Sequence, residues 1–313
     1  MSFERETLAA LIAARGPVAR VVVAEAQGSA PREAGAAMIV WATGQDDTIG
    51  GGALEWEAAA RARDCLAAGT ERLDPLPLGP ALGQCCGGHV TLVTEIWDAE
   101  RLATQDGDAV ARPLPGGPGE MPLAIRRRLA AARARGMQPP VSMEAGWLIE
   151  PVSRPERHVW IYGAGHVGRA IAGVLAPLPD VDVTLIDDAP GRFPAVLPKG
   201  VTPLVAANPA DAVRHAPGAA EHLILTYSHA LDLELCHRIL GRDFRTAGLI
   251  GSATKWARFR KRLAALGHTP DQIARIRCPI GEPSLGKHPQ AIALGVAAEM
   301  LRPVLTNAER ASL

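Results

Sequence analysis

The sequence predicts an α/β protein with a doubly wound parallel sheet in its C-terminal half and a smaller α/β domain before it. Three observations carry this expectation. From His158 onward, short β-rich runs alternate regularly with helical stretches, the pattern of a mostly parallel sheet covered on both faces. The first of these runs passes into the first helix through Gly163-x-Gly165-x-x-Gly168, a spacing that lets a strand turn tightly into a closely packed helix. The first hundred residues follow a different rule, interleaving strands and helices with glycine loops.

Taken in order, "MSFERETLAALIAARG" sets Glu4 and Glu6 among spaced apolar residues and reads as an amphipathic helix rather than a signal-peptide core. Strands are expected at 18–26 and 36–42, bracketing the loop "QGSAPREAG" at 27–35. Three glycines at 50–52 lead into a helix from about Leu54 to Gly69, and a strand spans 89–97. Residues 105–120, with "RPLPGGPG", have loop composition; a short helix around 121–135 and an extended stretch near 147–152 follow. The expected domains are 1–150 and 158–313, joined by a linker at 151–157. In the second domain strands are expected at 158–163, 182–187, 202–207, 223–228 and 247–252. Helices are expected there at 166–176, 209–216, 231–241, 255–266, 270–276 and 289–302.

Composition narrows the function. Of 313 residues 48% are hydrophobic and 21% charged, enough apolar content for two cores. Lys+Arg and Asp+Glu both number 33, so the basic excess typical of nucleic-acid binders is absent. No apolar run approaches the roughly 18 residues of a membrane span. The five cysteines, Cys65, Cys85, Cys86, Cys236 and Cys278, are odd in number and lack framework spacing. A cytoplasmic protein without a membrane segment is expected.

The candidate site residues come from the loops. In the glycine turn, Gly163 permits the bend, Gly165 lets an anion approach the backbone, and Gly168 lets helix and strand pack. The helix start adds free N–H groups and the positive end of a dipole. Asp187 closes the next strand about 20 residues on, where an acid meets a ribose diol in nucleotide-binding sheets; the alternative is a strand-end acid facing water. Loops after later strands bring Thr226, His229 and Asp232, then Ser252 and Lys255, to the same sheet edge. Lys255 in a first helical turn opposes the helix dipole unless an anion is near; a solvated lysine is the alternative. Lys287 and His288 precede a helix that begins at Pro289 and is apolar nearly all round.

"LGQCCGGHV" sets Cys85 and Cys86 side by side before the 89–97 strand. No C-x-x-C pair supports structural zinc, and no G-x-S-x-G elbow supports a serine hydrolase. Either the pair fills a turn, or a thiolate is favoured there by successive backbone N–H groups.

Six motifs occur in one order: "QGSAPREAGAAM", "IGGGALE", the Cys-Gly-Gly of "CCGGHV", "YGAGHVGRA", "GLIGS…K" and "PIGEPSLGKHPQAIALGVAAEML". Together they resemble the XdhC/CoxI family, most closely its XdhC branch, over nearly the whole chain outside residues 100–140. The resemblance implies a chaperone that binds the molybdenum cofactor (molybdopterin), protects it during sulfuration and delivers it to apo-xanthine dehydrogenase. It implies partnership with that enzyme's molybdenum subunit and with a cysteine desulfurase, a homodimer, and no independent turnover. On the matched motifs the cofactor-binding residues would be Arg32, Gly51, Gly52, Gly163, Gly165, Gly168, Asp187, His229, Ser252, Lys255 and Lys287. Cys86 matches the family's cysteine and would handle sulfur or lie near molybdenum; Cys85 is extra. Where the family reads Thr-His-Asp-His, this chain has Tyr227 and Ser228 in the middle, leaving His229 and Asp232 as matches. The competing reading is an NAD(P)-dependent oxidoreductase, favoured by the glycine turn with Asp187, and NAD stays open as a ligand.

Overall fold

The computed structural model of the protein describes residues 3–79 and 87–302. The chain divides into two units, Met1–Ser153 and Arg154–Leu313.

In the first unit, helix α1 (Arg5–Arg15) leads into the buried strand β1 (Val18–Gln27). β1 pairs antiparallel with β2 (Ala37–Trp41), whose outer neighbour is β3 (Gly44–Asp47). Helix α2 (Gly52–Ala68) follows, then β4 (Arg72–Pro77) and β5 (His89–Trp97). The sheet order is β3-β2-β1-β5-β4. Alternation along β1 sorts its faces. Ala19, Val21 and Val23 join Leu54, Ala58, Ala59 and Ala62 of α2 in one cluster, while Val22 and Ala24 pack with Val93 and Leu148 on the other side. Leu148 belongs to a second sheet, β6-β8-β7, formed by β6 (Ala109–Pro113), β7 (Ser142–Glu144) and β8 (Trp147–Pro151). Helices α3 (Ala99–Ala103) and α4 (Leu123–Ala134) complete the unit.

Four of these strands escape a sequence reading, the short β7 (Ser142–Glu144) among them. β4 contains Pro75 and Pro77, which cannot donate to a ladder, and it lies at a sheet edge where that donation is not needed. β3, "GQDD", is an edge strand with no apolar residue. β6 lies inside the 105–120 stretch of loop composition and is recruited by pairing with β8.

The two sheets of this unit are joined by charge as well as by apolar packing. Arg20 on β1 donates to both oxygens of Glu150 on β8, at 2.9 and 2.8 Å. Arg112 on β6 donates to both oxygens of Glu95 on β5, each at 2.6 Å, and also to Glu150. All four side chains are at most 4% exposed. The guanidinium of Arg20 lies 4.9 Å from the Phe3 ring, and that of Arg112 lies 5.5 Å from the Trp97 ring. Burial raises the Glu150 pKa, but Arg20 and Arg112 outweigh it and bring the value to about 2.

The second unit is a six-stranded, wholly parallel sheet in the order β11-β10-β9-β12-β13-β14. Its strands are β9 (Arg157–Tyr162), β10 (Val181–Asp187), β11 (Val201–Val205), β12 (Glu221–Ile224), β13 (Thr246–Leu249) and β14 (Ile276–Arg277). The crossovers carry α5 (His166–Leu175), α6 (Pro209–Ala212), α7 (His229–Leu240), α8 (Ala253–Ala265) and α9 (Pro270–Ala274), and α10 (Pro289–Leu301) closes the unit. Both faces are covered, as expected. Val159 and Ile161 of β9 pack with α5 and α10, while Trp160 and Tyr162 pack with α7, α8 and α9. Strand order reverses beside β9, so the ligand crevice of this topology opens between the loops after β9 and β12.

The expected 270–276 helix stops at Ala274, and Ile276, buried beside Ala247, becomes the sixth strand. The expected 209–216 helix is one α-helical turn followed by a 3-10 turn at 213–215. The 223–228 strand starts earlier, at Glu221, which pairs with both β9 and β13 and whose buried carboxylate accepts from Arg157 at 2.6 and 2.9 Å; it ends at Ile224. Among the described residues no helix is long and apolar enough to cross a membrane.

The charge ladder yields a prediction. The native state binds Glu150's proton only near pH 2, whereas an unfolded glutamate does so near pH 4.3. Its stabilisation is therefore fully present above the unfolded value and is lost as pH falls from there towards 2. Glu150→Ala leaves two buried guanidiniums short of their partner and should cost about 3–5 kcal/mol at neutral pH. Faster hydrogen exchange of the β6 and β8 amides would report this loss, and unchanged exchange would contradict it.

Candidate ligand site at the glycine turns

In the second unit the three glycines are required for three different reasons. Gly163 has φ 118°, and a Cβ there would stand 2.5 Å from the Leu225 carbonyl oxygen. At Gly168 a Cβ would stand 1.9 Å from the Gly163 carbonyl oxygen, so helix and strand approach as the spacing predicts. Gly165 differs. Its φ of −69° suits any residue, and a Cβ there would meet nothing within 4 Å. Neither conformation nor packing asks for glycine at this position; open space above the helix start is what its missing side chain preserves. Ser228, Ser252 and His288 cap α7, α8 and α10 with their side chains, whereas α5 has Gly165 at its N-cap and no side-chain cap.

The surrounding candidates divide into engaged and open groups. Asp187, 5% exposed, accepts from the Ala164 N–H at 2.6 Å and from the Asp188 N–H at 2.8 Å. It therefore holds the glycine turn in shape. The anion that Lys255 faces is one of the chain's own carboxylates. The Lys255 ammonium donates to the buried Asp232 carboxylate at 2.6 Å and to the Ile250 carbonyl at 3.1 Å. The other Asp232 oxygen accepts from the Thr226 N–H at 3.0 Å and its hydroxyl at 2.7 Å. This trio fastens the loops after β12 and β13 to α7 and α8. The Ser252 hydroxyl is spent capping α8, through the Lys255 N–H at 3.2 Å. His229 opens α7 and is exposed, as is Lys287 just before α10.

One cluster at this edge was not singled out from the sequence. The Tyr227 hydroxyl donates to Asp188 at 2.6 Å, the Arg192 guanidinium lies 4.6 Å from the Tyr227 ring centroid, and Arg192 Nε is 3.5 Å from Asp188. Two sequence signals point to it: Asp188 directly follows the candidate Asp187, and Tyr227 departs from the Thr-His-Asp-His pattern.

In the first unit, loops around 28–32, 48–52 and 87–88 converge. A Cβ on Gly88 would stand 2.3 Å from the Ser29 carbonyl oxygen, and one on Gly50 would stand 2.4 Å from Pro31 Cβ. Gly50, Gly51 and Gly52 all have positive φ, at 121°, 67° and 68°. The N–H groups expected to cradle an anion already have one. The Glu55 carboxylate, one turn into α2, accepts from Ile49 and Gly51 N–H, each at 3.1 Å, and from the Thr48 hydroxyl. Burial raises its pKa, and these hydrogen bonds outweigh the burial and leave it lowered. Arg32 beside this loop donates to the Thr48 carbonyl at 3.4 Å and sits 3.5 Å from Glu33.

Cys86, with Cys85, lies outside the described residues. Among the described cysteines Cys65 and Cys236 are buried, and burial pushes the half-buried Cys278 thiol up to about 11 despite the nearby Lys255 ammonium. Burial also raises the Cys236 thiol, so neither Cys236 nor Cys278 is an activated thiolate. Among the described residues no group of three or more His, Cys, Asp or Glu side chains could hold a metal ion.

Strand order and turn together define a protein with a Rossmann-type C-terminal unit. Residues 159–300 match the XdhC Rossmann domain, and residues 11–74 match the XdhC and CoxI family. The chain belongs to the XdhC and CoxI family. The uncharacterized protein YqeB of Escherichia coli (strain K12) is 30% identical over 143 residues, 45% of this chain. The match spans 26% of that protein's length. A crystal structure from Bacillus halodurans, described as a xanthine dehydrogenase, aligns over 98% of this chain and 99% of its own. Its TM-score is 0.71 at 18% identity, a likeness of fold.

Two lysines at this edge separate structural from solvent-facing roles. Lys255→Met strands the Asp232 carboxylate in the interior and should destabilise the protein by about 3 kcal/mol or more. Lys287→Met, at an exposed position, should stay within about 0.5 kcal/mol. Parallel urea unfolding curves would show the difference; equal midpoints would contradict the structural role of Lys255.

Proposed function

We propose that the chain is a molybdenum-cofactor chaperone in the maturation of xanthine dehydrogenase. It holds the cofactor as cargo while the terminal oxo ligand is exchanged for sulfur, and then passes it to the apo-enzyme. Family membership supports the maturation role in general. The observation that carries the cargo reading is Gly165, a glycine demanded neither by its backbone angles nor by any neighbour, above an uncapped helix start. The cofactor is a pterin dithiolene with a phosphate. A phosphate on the first N–H groups of α5 would meet oriented donors and the positive dipole end. Lys287 would contribute a second charge, since the loop before α10 also lies on the ligand edge of the sheet.

On this reading Cys86 handles sulfur or lies near molybdenum, and the cysteine desulfurase and the apo-enzyme's molybdenum subunit are the partners. The protein acts by holding and releasing cargo, as a cytoplasmic homodimer. The alternative, an NAD(P)-dependent oxidoreductase, draws on the strand order and on Asp187. Asp187 is weakened as a ribose ligand because it already accepts two backbone N–H groups.

Gel filtration of the protein after incubation with molybdenum cofactor tests the reading. The wild type should retain molybdenum, and Gly165→Val should lose at least tenfold of it with an unchanged unfolding midpoint. Equal retention by the variant would reduce the turn to a packing device. In activation of apo-xanthine dehydrogenase, Cys86→Ser should fall well below Cys85→Ser; wild-type activation by both would remove Cys86 from the site.

A further inference from the structure

β9 lies between β10 and β12 in the sheet. Asp188 and Arg192 follow β10, and Tyr227 follows β12. The hydrogen bond from Tyr227 to Asp188 therefore passes across the end of β9, where Gly163 and Gly165 form the turn. Tyr227 is held here although the residue is 66% exposed. One ring face carries Arg192, a cation–π contact at 4.6 Å to the centroid. An exposed tyrosine fixed at its hydroxyl and backed on one face presents a flat, preorganised surface that neither the core nor the charge ladder uses.

The chemistry of the cluster selects a ligand. An ionised carboxylate only accepts hydrogen bonds, and each oxygen can take more than one. Asp188 is held in that form, its pKa lowered first by the Tyr227 hydrogen bond and further by Arg192. The complement is a flat ring carrying two adjacent N–H donors on one edge. The 2-amino-4-oxopyrimidine edge of pterins and of guanine has such a pair, whereas the corresponding edge of adenine alternates donor and acceptor.

We propose that Tyr227, Asp188 and Arg192 form the ring-recognition subsite of the ligand whose phosphate sits on the α5 turn. The pterin or guanine ring stacks on Tyr227, and Asp188 reads its amino-oxo edge. The proposal rests on the phosphate-cradle reading above and adds the specificity that a phosphate alone cannot supply. Neither the glycine motif nor the family matches assign these three residues a role.

Calorimetric titration of the full chain with a pterin monophosphate, GMP, AMP and ribose 5-phosphate tests it. The pterin phosphate and GMP should bind at least tenfold tighter than AMP. Tyr227→Leu should weaken both by tenfold or more and leave ribose 5-phosphate unchanged. Asp188→Asn should weaken the pterin phosphate and GMP but not AMP. Unchanged binding of the pterin phosphate and GMP to Tyr227→Leu would overturn the proposal. So would AMP matching GMP with equal dependence on Asp188, since that result assigns the carboxylate to the ribose. Gly165→Val keeps the two readings apart. If it leaves ribose 5-phosphate binding intact while Tyr227→Leu still weakens the ringed ligands, the ring subsite stands and the phosphate cradle fails.

Discussion

One backbone contact governs the ligand edge of the second unit: the Gly163 carbonyl oxygen occupies the space where a side chain on Gly168 would begin. That contact sets α5 close against β9 and points its first N–H groups along the edge of the sheet. Leu225 then packs its carbonyl on Gly163, which fixes where the loop after β12 leaves the sheet and so where Tyr227 can reach. The Asp232–Thr226–Lys255 trio locks the same loop from behind. The site thus depends on two glycines too close for any substitute and on a third, Gly165, where an added Cβ would meet nothing within 4 Å.

The units handle anionic charge at their glycine loops in opposite ways. In the first, the chain supplies its own anion, as Glu55 folds back onto Ile49 and Gly51 N–H groups. In the second, Asp187 braces the turn from Ala164 but leaves the start of α5 without a side-chain cap. A glycine loop is therefore not by itself a ligand site. What matters is whether its N–H groups are already satisfied, and that depends on residues elsewhere in the chain.

The doubly wound sheet was legible because β/α alternation and the glycine spacing report local backbone requirements. The roles of Gly163 and Gly168 follow from the same spacing. Lys255 was not legible: its helical position suggested an anion, and its partner is Asp232, 23 residues away in sequence and brought close only by the fold. The anchoring role of Glu55 was hidden because two of its partners are backbone donors, which every residue carries, and the side-chain donors Thr48 and Gln45 reach it only through the fold. The edge strands β3 and β4 lacked any apolar alternation, since an edge strand with prolines or acids needs none. Arg112 and Glu95 lie 17 residues apart on strands of different sheets, and only the fold brings them together as the buried link between those sheets.

The central claim is that the open turn above α5 exists to hold the molybdenum cofactor rather than a nicotinamide nucleotide. Anaerobic equilibrium dialysis of the wild-type chain against the cofactor, with NADH as competitor, tests this most directly. The account predicts stoichiometric molybdenum retention that excess NADH does not diminish. Tight NADH binding with no retained molybdenum would contradict it and return the chain to the oxidoreductase reading.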